Sequence, residues 1–277
     1  MLQFTVNDKL CTHCGLCAAD CPARIITQEG QALPSILPDQ EAACLQCQHC
    51  LAICPTAAIS ILGRKPENSL PLATDSFPRF EQMARFVRGR RSIRQYKDQN
   101  VDPALINQLL ATLANVPTGV NNRKLTFTVI DDKAVMQRLR EKVLAALAAA
   151  GKAGRIPERL TYLQAAPPAY YEHKVDIIFR GAPHALVVSA LPDAPCPGED
   201  VALTLAYFEL LAQSARLGTV WWGMFKMFLE MLPDMKPLFG LPPRHRYYYG
   251  MLFGIPAIHY PRAVQRDDAA IIKRVEL

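Results

Sequence analysis

The sequence predicts an α+β protein in two parts, a small cysteine-bound module at residues 1–62 and a larger domain at residues 79–277. Three observations predict it. Eight of the nine cysteines fall in two copies of one run before Pro55. A polar stretch from Gly63 to Pro78, carrying Pro66, Pro71 and Pro78, then interrupts the chain as a stiff linker. Beyond it, segments with helical and with strand-like apolar spacing are interspersed in one long series. The 277 residues are 50% hydrophobic and 20% charged, which leaves ample material for a packed core. The longest nearly apolar segment, Ala202 to Leu217, is broken by Glu209, Gln213 and Arg216, so no membrane span is expected.

Within the first part, Cys11, Cys14, Cys17 and Cys21 are followed by Pro22, and Cys44, Cys47, Cys50 and Cys54 by Pro55. The spacing C-x2-C-x2-C-x3-C-P suits cubane iron–sulfur clusters. Three thiolates three residues apart wrap a tight loop around three corners of a cube, and the fourth must come from elsewhere. In two-cluster proteins the fourth cysteine of each run serves the other cluster. By that rule Cys11, Cys14, Cys17 and Cys54 hold one [4Fe–4S] cluster, and Cys44, Cys47, Cys50 and Cys21 the second. Zinc knuckles pair two C-x2-C units and have no use for a third cysteine. A disulfide framework belongs to small secreted domains, and Met1 to Lys9 has no apolar signal core. Thiolate ligation implies a reducing compartment, so a cytoplasmic location is expected. His13 and His49 lie inside the loops but are not needed as ligands. Cys196, in the proline-rich stretch Pro192 to Pro197, is read as a free thiol. This first part resembles the two-cluster bacterial-type ferredoxin module. One so small has little core, and metal ligation is expected to supply much of its stability.

Net charge is +6, unevenly spread. Residues 1–62 carry two basic and five acidic side chains, a net of −3, which leaves +9 on the remainder. That asymmetry favours docking or attraction of anionic ligands by the larger part. Its Lys and Arg residues are scattered, without a basic run interleaved with aromatics, so nucleic acid is not an expected partner.

In the larger part, Arg79 to Arg88 has helical apolar spacing at Phe80, Met83, Ala84 and Val87. Arg90-Arg91-Ser92-Ile93-Arg94 then places three guanidiniums and a hydroxyl together, a donor set suited to phosphate. Asp102-Pro103 starts a helix over Ala104 to Ala114. The turn Pro117-Thr118-Gly119-Val120-Asn121-Asn122 leaves backbone amides free to face a ligand. A strand over Leu125 to Ile130 and a helix from Lys133 to Ala150 follow. Gly151 to Lys174 reads as irregular, with Tyr170 to His173 either lining an entrance or packing a loop. A buried strand is expected over Ala185 to Ala190. Asp200 is read as the N-cap of an apolar helix ending near Gly218. Gly218 to Gly223 reads as a strand whose end glycines permit close approach to a flat ligand. Another strand spans Tyr247 to Ile255, and a basic, extended tail runs from His259.

Arg90-Arg91-Ser92-Ile93-Arg94, Pro117-Thr118-Gly119-Val120-Asn121, Ala182-Pro183, Leu217 to Gly223 and Gly250 to Pro256 together resemble the nitroreductase family of FMN-binding flavoproteins, over roughly residues 80–277. The resemblance implies an α+β sandwich, its mixed, mainly antiparallel sheet flanked by helices, in a homodimer with FMN at the subunit interface. It implies that Arg90 and Ser92, with Arg91 nearby, hold the FMN phosphate, completed by Arg266 or alternatively Arg262. Arg94 would face the N1/C2 edge of the flavin, where a cation stabilises the anionic reduced form. Asn121, with the backbone of Pro117, Thr118 and Gly119, would contact the ring or ribityl chain. An amide at Trp222 or Gly223 would reach flavin N5. One departure stands out: Arg123-Lys124-Leu125 occupies the place where the family often has Gln-Pro-Trp, which adds positive charge near the flavin.

The sequence thus points to an iron–sulfur flavoprotein oxidoreductase of nitroreductase type. Clusters would relay electrons to FMN, and FMN would reduce a small nitro, quinone, activated alkene or similar acceptor. The donor would be a ferredoxin, a flavodoxin or NAD(P)H. No G-x-G-x-x-G motif follows a strand, so a separate nicotinamide fold is not expected. The alternatives are an electron carrier or redox sensor without small-molecule turnover, and a cluster module that serves only for docking.

Overall fold

The computed structural model describes residues 1–266 and 270–276, and the chain divides into two compact units. One contains Met1–Pro78 together with Val120–Asn122, the other Arg79–Gly119 and Arg123–Leu277.

The first unit repeats itself at the spacing of its cysteine runs. Strand β1 (Thr5–Val6) leads into the first run and the one-turn helix α1 (Leu16–Ala19). The hairpin β2 (Ile26–Thr27) and β3 (Ser35–Ile36) precedes the second run, which holds the one-turn helix α2 (His49–Ala52). Strand β4 (Ile59–Ser60) returns to pair antiparallel with β1. The repeat is written in the backbone as well. His13, Gly15 and Arg24 adopt left-handed conformations, and so do their counterparts Gln46, Gln48 and Ala57. Five of these six are not glycine, so five side chains tolerate a costly conformation for what the loop must do. A small core of Leu2, Ile25, Ile26, Leu51, Ile59 and Ile61 lies with Cys17 and Cys50.

The second unit opens with helix α3 (Phe80–Gly89) and helix α4 (Pro103–Thr112). Asp102 caps α4 by accepting from Ala104 N at 2.9 Å, with Pro103 at the first helical position. Strand β5 (Leu125–Ile130), helix α5 (Lys133–Lys152), helix α6 (Ala166–Tyr171) and strand β6 (His184–Ala190) follow. Helix α7 (Pro197–Ser214), strand β7 (Gly218–Trp221), helix α8 (Gly223–Met231) and strand β8 (Tyr247–Gly254) complete the unit. The four strands form an antiparallel sheet in the order β5-β6-β8-β7. An isolated parallel bridge from Ser92 to Thr219 makes its β7 edge mixed.

Strand β6 is buried at every position, because helices cover both faces. Its alternate residues divide between two cores. Ala185 and Val187 face a core with α5 residues Met136, Val143 and Leu147 and the aromatics Phe179, Trp222, Phe225 and Phe228. Leu186, Val188 and Ala190 face a second core with Ile106 and Leu109 of α4 and Leu205 and Phe208 of α7. The result is the expected α+β sandwich.

Two local expectations need correction, and one left open is decided. Gly151 to Lys174 is not irregular: residues 158–165 form 3-10 turns and α6 follows at once. Pro167 and Pro168 sit in the first turn of α6, where a missing amide costs nothing. Asp200 is not an N-cap, because Pro197 takes the first helical position and Cys196 the cap. Tyr170 donates and accepts within reach of Gln137 and meets Tyr171 edge to face, so it packs α6 onto α5.

Candidate cluster and cofactor sites

In the first unit the eight cysteines sort into two groups. Cys11, Cys14, Cys17 and Cys54 line one cavity with Thr12, Gln28 and Pro34. Cys21, Cys44, Cys47 and Cys50 line the other with Pro22, Ile36 and Leu45. Each group takes three cysteines from one run and the last cysteine of the other. All nine cysteines of the chain are free thiols.

The donors fit cubane clusters. His13 and Gly15 in one loop and Gln46 and Gln48 in the other are left-handed, the backbone state from which amide nests for anionic sulfur are built. Gln46 N donates to Cys44 Sγ at 3.3 Å, and Ala58 N donates to Cys54 Sγ at 3.2 Å. Burial raises the Cys17 thiol and pushes the Cys50 thiol up to about 11. Burial also acts to raise Cys54, but hydrogen bonds from the Ala58 amide and Thr56 outweigh it and hold this thiol below its ordinary value. Among the described residues no three His, Cys, Asp or Glu side chains close on a point that one ion could fill. A tetrahedral zinc would need its sulfurs about 3.8 Å apart, whereas thiolates on different irons of a cube stand wider. His13 Nδ1 donates to Ala32 O at 3.3 Å, and His49 lies 3.4 Å from Asp20, so both imidazoles have partners outside the cysteine sets. Asn121 also clusters with this unit, where its Nδ2 donates to Leu45 O at 2.8 Å.

In the second unit, the segment after α3 is laid along the β7 edge of the sheet. Ser92 bridges Thr219, and Ile93 N donates to Thr219 O at 2.8 Å. Gly218 permits this approach: a Cβ there would lie 2.7 Å from Ile93 Cγ1. Farther along, Tyr96 bridges Pro256, and its hydroxyl donates to Ile93 O at 2.7 Å. So anchored, the segment presents its arginines. Val87, Arg88, Arg90 and Arg91 line a cleft of about 610 Å³ with residues 263–266 of the tail. Arg266 therefore meets Arg90 and Arg91 at one place, and Arg262 is not among the lining residues. Arg94 lies outside the cleft, exposed, with Nη1 3.5 Å from Ser92 O.

Arg90 is held from below. Its Nη1 donates to Glu209 Oε1 at 3.0 Å, and Glu209 is buried. Trp221 Nε1 donates to the other carboxylate oxygen at 3.2 Å, and Thr219 Oγ1 lies 3.4 Å from Oε1. One turn along α7, Gln213 Nε2 donates to Thr219 Oγ1 at 2.9 Å and to Arg91 O at 3.3 Å. Sequence reasoning met Glu209 and Gln213 only as polar interruptions of an apolar helix. Their spacing of four residues, one helical face, was the available signal.

The loop from Pro117 is fixed by a buried carboxylate. Gly119 N donates to Asp200 Oδ1 at 2.9 Å, and a Cβ on Gly119 would meet Cys196 Sγ at 2.9 Å. Thr118 Oγ1 accepts from Arg123 N at 3.0 Å. Val120, Asn121 and Arg123 are all left-handed, an uncommon state and a costly one for β-branched Val120. The two amides considered for flavin N5 differ. Trp222 N donates to Gly250 O at 2.9 Å, and its ring is buried in the aromatic core. The Trp222 amide is thus committed to the sheet, which leaves Gly223, first residue of α8, as the candidate.

An α+β domain that gathers four arginines around one cleft, joined to a module with eight thiols in two sets of four, defines a two-part redox protein. More particularly, the chain belongs to the nitroreductase family, whose family model matches residues 87–255, and residues 10–59 match the model of a 4Fe-4S dicluster domain. Among solved structures, it is similar to an FMN-bound nitroreductase from Bacteroides fragilis, at 20% identity over 69% of this chain and 99% of that one, with a TM-score of 0.54. An FMN-bound nitroreductase from Desulfitobacterium hafniense matches at 20% identity over 70% and 98%, with a TM-score of 0.55. An FMN-dependent nitroreductase from Clostridium difficile matches at 18% identity over 71% and 100%, with a TM-score of 0.52. These likenesses establish the fold. No curated protein matches the chain. The cofactors expected from the sequence, FMN and two [4Fe–4S] clusters, agree with the family matches and with the FMN-bound neighbours.

Proposed function

We propose that this chain is an iron–sulfur flavoprotein reductase in which two [4Fe–4S] clusters relay electrons to FMN and a small organic acceptor is reduced there. FMN, when bound, joins one-electron donors to two-electron hydride chemistry, and this supplies a reason for one chain to carry both modules. The observation that carries the reading is the meeting of Arg90, Arg91 and Arg266 on one cleft, in a chain that also sorts eight cysteines into two complete groups.

In this reading Arg90, Arg91 and Arg266 bind the phosphate of FMN, with Ser92 beside them. Guanidiniums suit that task because they offer paired donors in a fixed plane. Arg94 supports negative charge on the N1/C2 edge. The Pro117-Thr118-Gly119 segment, whose Gly119 amide is taken by Asp200 and is not free as the sequence suggested, orients the flavin together with Asn121, and the Gly223 amide donates toward N5. Cys11, Cys14, Cys17 and Cys54 hold one cluster, and Cys44, Cys47, Cys50 and Cys21 the other. The exposed Arg123 and Lys124 favour acceptors that carry negative charge or electron-rich oxygens over plain nitroaromatics. A reduced ferredoxin or flavodoxin is the favoured donor, since clusters are superfluous for direct hydride transfer from NAD(P)H. A second copy of the chain completes the FMN site, and the reducing cytoplasm suits the thiolate ligands.

Anaerobic purification followed by iron, sulfide and released-flavin analysis tests this. About eight irons and one FMN per chain are expected. Cys14→Ser should then abolish FMN reduction driven through the clusters. Full iron without flavin, or flavin with zinc, would overturn the proposal.

A further inference from the structure

The Arg90 side chain does not stand alone at its cleft, and the group behind it is a buried carboxylate. Glu209 is 6% exposed, lies on α7, and is 119 residues from Arg90 in sequence. An anion beneath a phosphate site is a puzzle if charge alone matters, since it cancels part of the attraction for a phosphate. Geometry resolves it. Glu209 engages only Nη1 of Arg90, at 3.0 Å, while its second oxygen is fixed by Trp221 Nε1 at 3.2 Å. Thr219, the residue that Ser92 bridges, completes the contact at 3.4 Å, and Gln213 ties Thr219 to the Arg91 carbonyl. A guanidinium with one nitrogen pinned from inside has already lost its mobility, and its remaining donors are left for the cleft that Arg90 lines. A flexible arginine would have to lose that freedom each time an anion bound.

We propose that Glu209 is a positioning residue for flavin-nucleotide recognition: through Arg90, it pre-orients the donors that take the phosphate. The inference rests on the reading of this cleft as the FMN phosphate site. Gln213 has the companion task of fixing the backbone at Arg91. Because Glu209 acts through Arg90, its effect must be confined to the phosphate end of the cofactor and must vanish when Arg90 is absent.

The test uses the full-length protein stripped of flavin and retitrated anaerobically with FMN and with riboflavin, which lacks the phosphate. Arg90→Gln, Glu209→Gln and the double variant are compared with the parent. In Glu209→Gln, FMN affinity should fall about tenfold, as loss of a charge-assisted contact implies, with riboflavin affinity unmoved. The double variant should be no worse than Arg90→Gln. Unchanged or tighter FMN binding in Glu209→Gln, beside weaker binding in Arg90→Gln, overturns the inference and leaves the phosphate reading standing. Additive losses, or equal losses for both flavins, also overturn it. If Arg90→Gln itself leaves the FMN-to-riboflavin ratio unchanged, the phosphate reading fails first. Should Glu209→Gln not fold, Glu209→Asp keeps the buried charge but falls one methylene short of Arg90, and the same ratio decides.

Discussion

Single side chains in the second unit carry consequences out of proportion to their number. Arg140 and Asp176 form a buried pair, 8% and 9% exposed, at 2.7 Å. Asp176 also accepts from Phe179 N and Gly181 N, and Arg140 donates to Ala182 O. The pair thereby shapes the turn that delivers the chain into β6. Asp176→Ala leaves a buried cation without its counter-charge and two amides without partners, and should cost about 3–5 kcal/mol of stability, read as a lower denaturation midpoint at unchanged iron content. His184 sets a pH limit. Burial holds its pKa below the ordinary 6.5, against the raising effects of the Ile130 carbonyl, Asp131 and Asp132, while Nε2 accepts from Val101 N. A folded-state pKa below the unfolded one means that the unfolded chain binds the proton first. Stability is therefore full above pH 6.5 and is lost as the pH falls from there through the depressed value. His184→Gln should flatten the acid side of a plot of unfolding temperature against pH; an unchanged acid side would refute this. Little of it was legible in advance. Arg140, Asp176 and His184 look unremarkable in sequence, and only tertiary packing gives them partners.

At the scale of elements, legibility followed local physics. Strand β5 runs over Leu125–Ile130 as its alternation and turn boundaries dictate, and Asp102-Pro103 starts α4 through a cap that is local in sequence. Helix α6 escaped notice because Pro167-Pro168 reads as a break, yet a first turn tolerates proline. Helix α8 begins at Gly223, where the sequence offers no polar cap to announce it. The two amides at Trp222 and Gly223 could not be told apart without the register of β7 on β8, which commits the first to Gly250. The edge where residues 90–93 join β7 gives a sharper prediction. Gly218→Ala drives a methyl to within 2.7 Å of Ile93, which should cost about 1–3 kcal/mol and lower FMN occupancy of purified protein. Combining it with Ile93→Gly, which also removes the Cβ that would stand at 2.8 Å, frees the space and should restore occupancy. Failure of that rescue would show that the glycine serves some purpose other than close approach.

For the whole molecule, the two units differ in what holds them. The second has two extensive cores around a sheet, whereas the first buries a handful of aliphatic side chains among its thiols. Anaerobic chelation of iron should therefore abolish amide-exchange protection in residues 1–62 and leave that of β6 and α7 intact. Simultaneous loss of protection throughout would contradict the separation. The cysteine runs, legible from spacing alone, also show where Cys14→Ser acts: it leaves Cys21, Cys44, Cys47 and Cys50 complete, so iron should fall from about eight to about four per chain. The exchange of the last cysteine between runs has a further consequence. Cut between Gly30 and Gln31, the module would yield two peptides, each owing one sulfur to the other. A lone half could complete a cube only by trading that sulfur with a twin, so the smallest piece of this chain able to be inherited, transplanted or shortened as a working cluster carrier is the interlocked pair.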